Sequence, residues 1–295
     1  RRLREYTDRY VEQYLAELNL PEEFITGRFR YIVSKNRNII IATLEQMAAE
    51  MRQSDFDPVD FELTVGEAAG AYVVPLEKGK VRLKGTVDRV DLMQTDDKKY
   101  FRIIDYKTGS KSFSLGEVLH GINAQMLIYL LSLSADQGER YRGSVPAGLL
   151  YIEAKDKTID ASHTDEKGLA KKKGERFQMN GMLLNDETVI YGMEHEPTGK
   201  FIPVTCDKNG EFKGSIVTQE QMDKIREKLD ALIAEMGNAL HSGRIDDMPY
   251  TTGSFSACDY CDYKAVCCNR GKRNEVSIPK FEEALRELEG GEQHE

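Results

Sequence analysis

Apolar residues recur at helical spacing twice before residue 60. Leu3, Tyr6, Tyr10, Tyr14, Leu15 and Leu18 form one stripe, and Ile39, Ile40, Leu44, Met47 and Met51 form another. The spacing predicts amphipathic helices over Leu3–Leu18 and Val33–Met51, with Pro21 opening a new helix after the first ends. From Phe61 the period changes. Phe61–Thr64, Ala71–Pro75, Val81–Leu92 and Tyr100–Tyr106 alternate and are rich in β-branched and aromatic residues, which predicts strands. Asp96-Asp97-Lys98-Lys99 is a polar hairpin turn between the last two. The predicted unit is an antiparallel meander of three or four strands.

A long helix is predicted over Leu115–Leu133, followed by a buried strand over the apolar run Ala147–Ile152. Strand, strand, helix, strand implies a right-handed crossover and hence a mixed sheet. Ser162–Arg176 has almost no apolar residues and reads as a mobile insertion. Further helices are predicted over Glu187–Met193, Thr218–Leu240 and Pro279–Leu288. No internal repeat is visible. The fold class is α/β, a mixed sheet flanked by helices with extra helices at both ends. The expected organisation is a helical lead-in over 1–56, a core over 57–250, and a cysteine-bearing segment and tail over 251–295.

Composition narrows the classes. The 295 residues are 40% hydrophobic and 31% charged, with net charge −9, as in an ordinary globular chain. No apolar run approaches the length of a membrane span, so no membrane partner is expected. The acidic balance argues mildly against nucleic acid, but metal ions can offset phosphate charge and a tethered domain need not supply its own affinity. Basic residues do cluster locally, at Lys171-Lys172-Lys173 and from Lys264 to Lys272. The opening Arg1-Arg2-Leu3-Arg4-Glu5 has no initiating Met and no apolar signal core, so the chain reads as a piece of something longer.

Candidate chemistry concentrates in Gly85-Thr86-Val87-Asp88-Arg89-Val90-Asp91 and Ile103-Ile104-Asp105-Tyr106-Lys107-Thr108-Gly109. Charges beside an apolar sheet need partners. Asp88 and Asp105 could hold a hard divalent ion, Mg²⁺ or Mn²⁺, which needs only one or two carboxylates. Lys107, two residues after Asp105, points to the same face. Its ammonium could hold an attacking water and balance charge, as phosphodiester hydrolysis requires. The plainer alternative is an exposed charged alternation on an edge strand. Gly85 would permit close approach of another segment. Asp91 is expected to pair with Arg89 or solvent. Glu62, on the preceding strand, is a further acid whose plainer reading is an exposed edge residue.

Four of the five cysteines lie near the C-terminus, at Cys258, Cys261, Cys267 and Cys268. Without a secretory signal, metal or cluster ligation is the better reading than disulfides. Zinc and an iron–sulfur cluster would each take four such ligands. Chance clustering of thiols is the alternative.

The order of Gly85–Asp91, then Asp105-Tyr106-Lys107-Thr108, then Gln125-Met126-Leu127-Ile128-Tyr129 resembles the three successive motifs of RecB-type nucleases in the PD-(D/E)xK superfamily. The resemblance implies a restriction-endonuclease-like core with Asp88, Asp105 and the Tyr106 backbone carbonyl as metal ligands and Lys107 as the catalytic lysine. Glu62 takes a position where some members place an acid. Gln125 and Tyr129, one helical turn apart, would orient the site and touch DNA. Cys258, Cys261 and Cys267 resemble the triple-cysteine motif of the AddB branch, which carries a [4Fe–4S] cluster with its fourth cysteine far upstream.

This chain departs from that pattern at two points. No cysteine precedes Cys206, which does not match the family position, and neither His120 nor His163 matches the family's metal-binding histidine. Both missing residues are expected in an upstream part of the protein, so a cluster could be absent from this fragment. The resemblance implies a cytoplasmic, metal-dependent exonuclease domain of a helicase–nuclease that processes double-strand DNA ends for recombinational repair. Its substrate would be one strand of an unwound duplex end, and its partner an AddA-like helicase–nuclease subunit. ATP would be used elsewhere, since no Gly-Lys-Ser/Thr phosphate loop is present. The alternatives are a stand-alone RecB-like iron–sulfur exonuclease and a catalytically incomplete DNA-binding or structural module.

Overall fold

The computed structural model describes residues 2–66, 71–109, 112–135, 140–154, 178–253, 255–267, 269 and 271–290. The expected insertion Ser162–Arg176, His163 and Cys268 lie outside the described residues. The chain divides into two compact units, each assembled from three segments: Arg1–Phe61, Asp88–Ser112 and Ala147–Ile216 in the first, and Glu62–Val87, Phe113–Pro146 and Val217–Glu295 in the second.

Helix α1 (Arg2–Leu18) packs on α2 (Gly27–Met51) in the first unit. Helix α2 begins earlier than its apolar stripe predicts because the Thr26 hydroxyl accepts from the Phe29 N–H at 3.2 Å, capping the first turn. Pro21 opens only a single 3-10 turn, Glu22–Phe24.

The strands are β1 (Asp57–Val65), β2 (Val73–Pro75), β3 (Lys80–Arg82), β4 (Gly85–Gln94), β5 (Lys99–Lys107), β6 (Val145–Glu153), β7 (Asn180–Leu184), β8 (Val204–Cys206), β9 (Phe212–Gly214), β10 (Ile216–Val217), β11 (Tyr250–Thr251) and β12 (Asn274–Glu275). A six-stranded mixed sheet runs β1-β4-β5-β6-β7-β10. The predicted hairpin is β4–β5, antiparallel from Arg89↔Ile104 to Gln94↔Lys99. The simple meander is corrected. Strands β2 and β3 pair only with each other, Val74 opposite Val81, and β4 lies beside β1. The alternating run Val81–Leu92 is in fact two strands, broken at Leu83-Lys84, where the Leu83 N–H turns back to the Tyr72 carbonyl at 3.0 Å. Strand β7 is short and went unpredicted. The first unit's core is built from Phe101, Ile103, Ile104, Leu149, Leu150, Met182, Leu183 and Ile190, all fully buried. Each such side chain contributes about 1.5–3 kcal/mol.

In the second unit the single predicted helix over Leu115–Leu133 is two, α3 (Leu115–Leu119) and α4 (Gln125–Ser134). Gly121 (φ +76°) and Asn123 (φ +55°) adopt left-handed backbone between them, which no continuous helix allows. Helix α5 (Glu187–Met193), in the first unit, starts at Asp186, whose carboxylate accepts from the Thr188 and Val189 N–H groups. Helix α6 (Gln219–His241) opens on a Thr218–Gln221 capping box, and α7 (Phe281–Leu288) is the predicted tail helix. No helix among the described residues is long and apolar enough to cross a membrane.

Candidate active site

The β4–β5 register sorts the charges by face. Val90 lies opposite Ile103, and Arg89 opposite Ile104. Successive side chains alternate, so Asp88 shares a face with Val90 and Ile103, and Asp105 and Lys107 share it too. One further step along the ladder brings Asp88 level with Asp105. Asp88 is held by backbone: its Oδ2 accepts from the Tyr106 N–H at 2.8 Å. Asp105 is buried, and Lys107 Nζ lies 2.5 Å from its Oδ2 with the lysine side chain still 23% exposed. The Lys107 ammonium also sits 5.6 Å from the centroid of the Tyr151 ring on β6. The Ala154 N–H donates to the Lys107 carbonyl at 2.8 Å, fixing the strand end.

The opposite face of the same strands carries a second ionic cluster. Asp91 and Arg89 form a bidentate pair, Nε–Oδ1 at 2.6 Å and Nη2–Oδ2 at 2.7 Å. Arg102, opposite Asp91, donates from Nε to Asp91 Oδ2 at 2.9 Å and from Nη2 to Glu50 of α2 at 2.7 Å. Its guanidinium lies 5.0 Å over the Phe56 ring. All four charged side chains are buried. Arg89 also hydrogen-bonds the Tyr106 phenol. Burial pushes that phenol's pKa up, against the opposing pull of Arg89. Burial alone would lower Arg89, but Asp91 and the Tyr106 phenol together outweigh it and the guanidinium is held more firmly charged. Asp91 thus pairs with Arg89, as the sequence indicates.

In the second unit, Gln125 Nε2 donates to Tyr129 Oη at 2.9 Å across one helical turn. Tyr129 is buried and lies against Gly85, where a Cβ would fall 2.1 Å from Cε1 of the ring. The close approach anticipated at Gly85 is therefore to Tyr129. Glu62 is exposed on β1, an edge strand, with φ +50°. Cys258 is half-buried on a 3-10 turn, while Cys261 and Cys267 are exposed. Cys267 Sγ accepts from the Asn269 N–H at 3.4 Å. Cys206 is half-buried on β8, where it raises the Tyr191 phenol's pKa. Among the described residues no group of three or more His, Cys, Asp or Glu is placed to hold a metal ion.

Glu50, Arg102 and Tyr151 were missed in sequence. Glu50 did carry a signal: it falls three residues after Met47, on the apolar stripe of α2. Arg102 interrupts the apolar run Phe101–Ile104. Tyr151, inside a strand expected to be buried, carried none.

Two acids and a lysine on one face of a mixed sheet have the layout of a nuclease-class domain. The chain belongs to the PD-(D/E)XK nuclease superfamily, whose family model matches residues 1–268. It is similar to bacterial proteins named as a subunit of ATP-dependent helicase/deoxyribonuclease. The one from Alkaliphilus oremlandii is 28% identical over 90% of this chain and 24% of that protein. The one from Clostridium botulinum strain Hall is 32% identical over 95% and 26%, and that from Clostridium acetobutylicum 33% over 81% and 22%. The chain therefore spans about a quarter of the length of these relatives.

Proposed function

We propose that this chain is the nuclease part of a helicase/deoxyribonuclease and hydrolyses phosphodiester bonds in single-stranded DNA with a divalent metal, Mg²⁺ or Mn²⁺. The observation that carries the reading is the placement of Asp88, Asp105 and Lys107 on one strand face, two carboxylates and one ammonium among the described residues. Hard oxygen donors with surplus negative charge fit such an ion, which takes one or two carboxylates and completes its shell with water and phosphate. Asp88, Asp105 and the Tyr106 carbonyl would hold it, and Glu62 is the weakest member of the set. When bound, the ion polarises the phosphate and lowers the pKa of a water.

The protein's own groups do the rest. The Tyr106 N–H fixes one Asp88 oxygen and leaves the other for a ligand. Lys107, anchored by Asp105 and the Tyr151 ring, presents an ammonium to the attacking water and to the charge that develops on phosphate. Gln125 and Tyr129 act as a supporting pair. Exonuclease action in a cytoplasmic complex with a helicase subunit, on a strand it unwinds during double-strand-end repair, belongs to the same reading; the relatives' names, helicase/deoxyribonuclease, support its helicase partner and its DNA substrate.

Cys258, Cys261 and Cys267 are donors of the right kind for a [4Fe–4S] cluster, one short of the four it takes. Visible absorbance of the iron–thiolate type in protein purified without oxygen is the expected result. Stoichiometric zinc by elemental analysis would reject the cluster.

Cleavage of end-labelled single-stranded DNA with Mg²⁺ or Mn²⁺ tests the central reading. Lys107→Ala is expected to be slower by about 10²–10⁴-fold with its fold unchanged. Equal rates for the variant and the parent would sink the assignment.

A further inference from the structure

Strands β4 and β5 bury apolar residues on both faces. Val87 and Val90 fall on opposite faces of β4, as Ile103 and Ile104 do on β5, and all four are buried. Burial of apolar surface therefore does not distinguish the observed pairing from one slipped by a residue. Such a slip would exchange every side chain of the slipped strand between faces. It would also carry Asp105 and Lys107 off the face of Asp88.

The turn that closes the hairpin, where the Thr95 N–H donates to the Lys98 carbonyl at 2.8 Å, favours the observed register at one end, and along the strands what distinguishes it is ionic. Only this pairing sets Asp91 opposite Arg102, within reach of both Arg89 and the Glu50 carboxylate of α2. The cluster is balanced, two acids with two bases, and each charged side chain is at least 95% buried. A balanced buried cluster of this kind is commonly no more stable than apolar residues of the same volume. Stability alone does not account for it, whereas specifying a register does. Tyr106 joins the cluster to the other face, its phenol bonded to Arg89 and its N–H to Asp88 Oδ2.

We infer that the Glu50–Arg102–Asp91–Arg89 cluster is a register lock that positions Asp88, through Tyr106, for its ligand on the opposite face. These four are positioning residues. The consequence for metal rests on the proposed nuclease reading; the lock itself does not.

The test is the charge-balanced double variant Glu50→Met with Arg102→Met in the full chain, followed by thermal unfolding, the ¹⁵N–¹H signal and hydrogen exchange of the Tyr106 amide, and Mn²⁺ titration. The lock predicts an unlowered unfolding midpoint, a shifted Tyr106 amide that exchanges about 10-fold faster, and Mn²⁺ affinity weaker by about 10–100-fold. A folded double variant with the parent's Tyr106 amide and Mn²⁺ affinity overturns it. Should the double variant fail to fold, Asp91→Asn is read by the same amide and metal signals. If that also fails to fold, the cluster is a stability element and the inference falls. A parent chain that binds no Mn²⁺ would remove Asp88's role as a ligand, leaving the amide signal to judge the lock alone.

Discussion

The two faces of the β4–β5 hairpin use the same residue types to opposite ends. On one, Arg89, Asp91, Arg102 and Glu50 cancel one another out of water, in bonds of 2.6–2.9 Å. On the other, Asp105 pairs with Lys107 and Asp88 accepts from the Tyr106 N–H, and both Asp88 and Lys107 remain half-open to solvent. The closed face pairs its charges internally, leaving only Arg102 Nη1 of the cluster without a hydrogen-bond partner among the described residues, and on the proposed reading the open face takes a cation and an anionic substrate. Strand alternation alone produces this division, since neighbouring residues such as Asp88 and Arg89 are sent to opposite sides.

If the division is right, variants on the open face lose chemistry without stability, and single variants on the closed face, which leave a buried charge unpaired, lose stability first. The largest effect is expected for Lys107→Ala, with cleavage down about 10²–10⁴-fold and circular dichroism unchanged. Next comes Asp91→Ala, which leaves the buried Arg89 guanidinium without its carboxylate and Arg102 with Glu50 alone, and should cost about 3–5 kcal/mol in urea unfolding. A smaller effect sharpens the account of how β4 begins. Gly85→Ala drives a methyl into the Tyr129 ring and should cost roughly 1–3 kcal/mol, with part of the loss recovered by combining it with Tyr129→Ala.

The smallest effect, near neutral pH, comes from a group on neither face. The Tyr72 phenol is pushed well above its ordinary value, by burial first and then by its hydrogen bond to Asp230. Its pKa is higher folded than unfolded, so its contribution is full below about pH 10 and is lost as pH rises beyond. Tyr72→Phe should flatten that alkaline decline, giving the background against which variants of the two faces are compared.

Much of the open face was legible because strand chemistry is local. Asp88, Asp105 and Lys107 follow from alternation, whereas Gln125 and Tyr129 were singled out by the family resemblance, which their helical spacing permits. The closed face was half legible. The Arg89–Asp91 pair is two residues apart and could be anticipated, whereas Arg102 and Glu50 are brought together from positions 52 residues apart. Pairing at that separation is set by how α2 packs on the sheet, which no local pattern encodes. The β2–β3 ribbon was absorbed into the meander for a related reason: alternation identifies a strand but not its neighbour. The helix break at Gly121–Asn123 did have a local signal, a glycine and an asparagine two residues apart, obscured by apolar spacing that runs across it.

Calorimetric titration of Mn²⁺ into the parent chain and into Asp105→Asn tests the central claim most directly. The account predicts saturable binding by the parent and its loss in the variant, with both proteins unfolding at similar temperatures. Equal binding by the two, or none by the parent, would contradict a cation site on the open face.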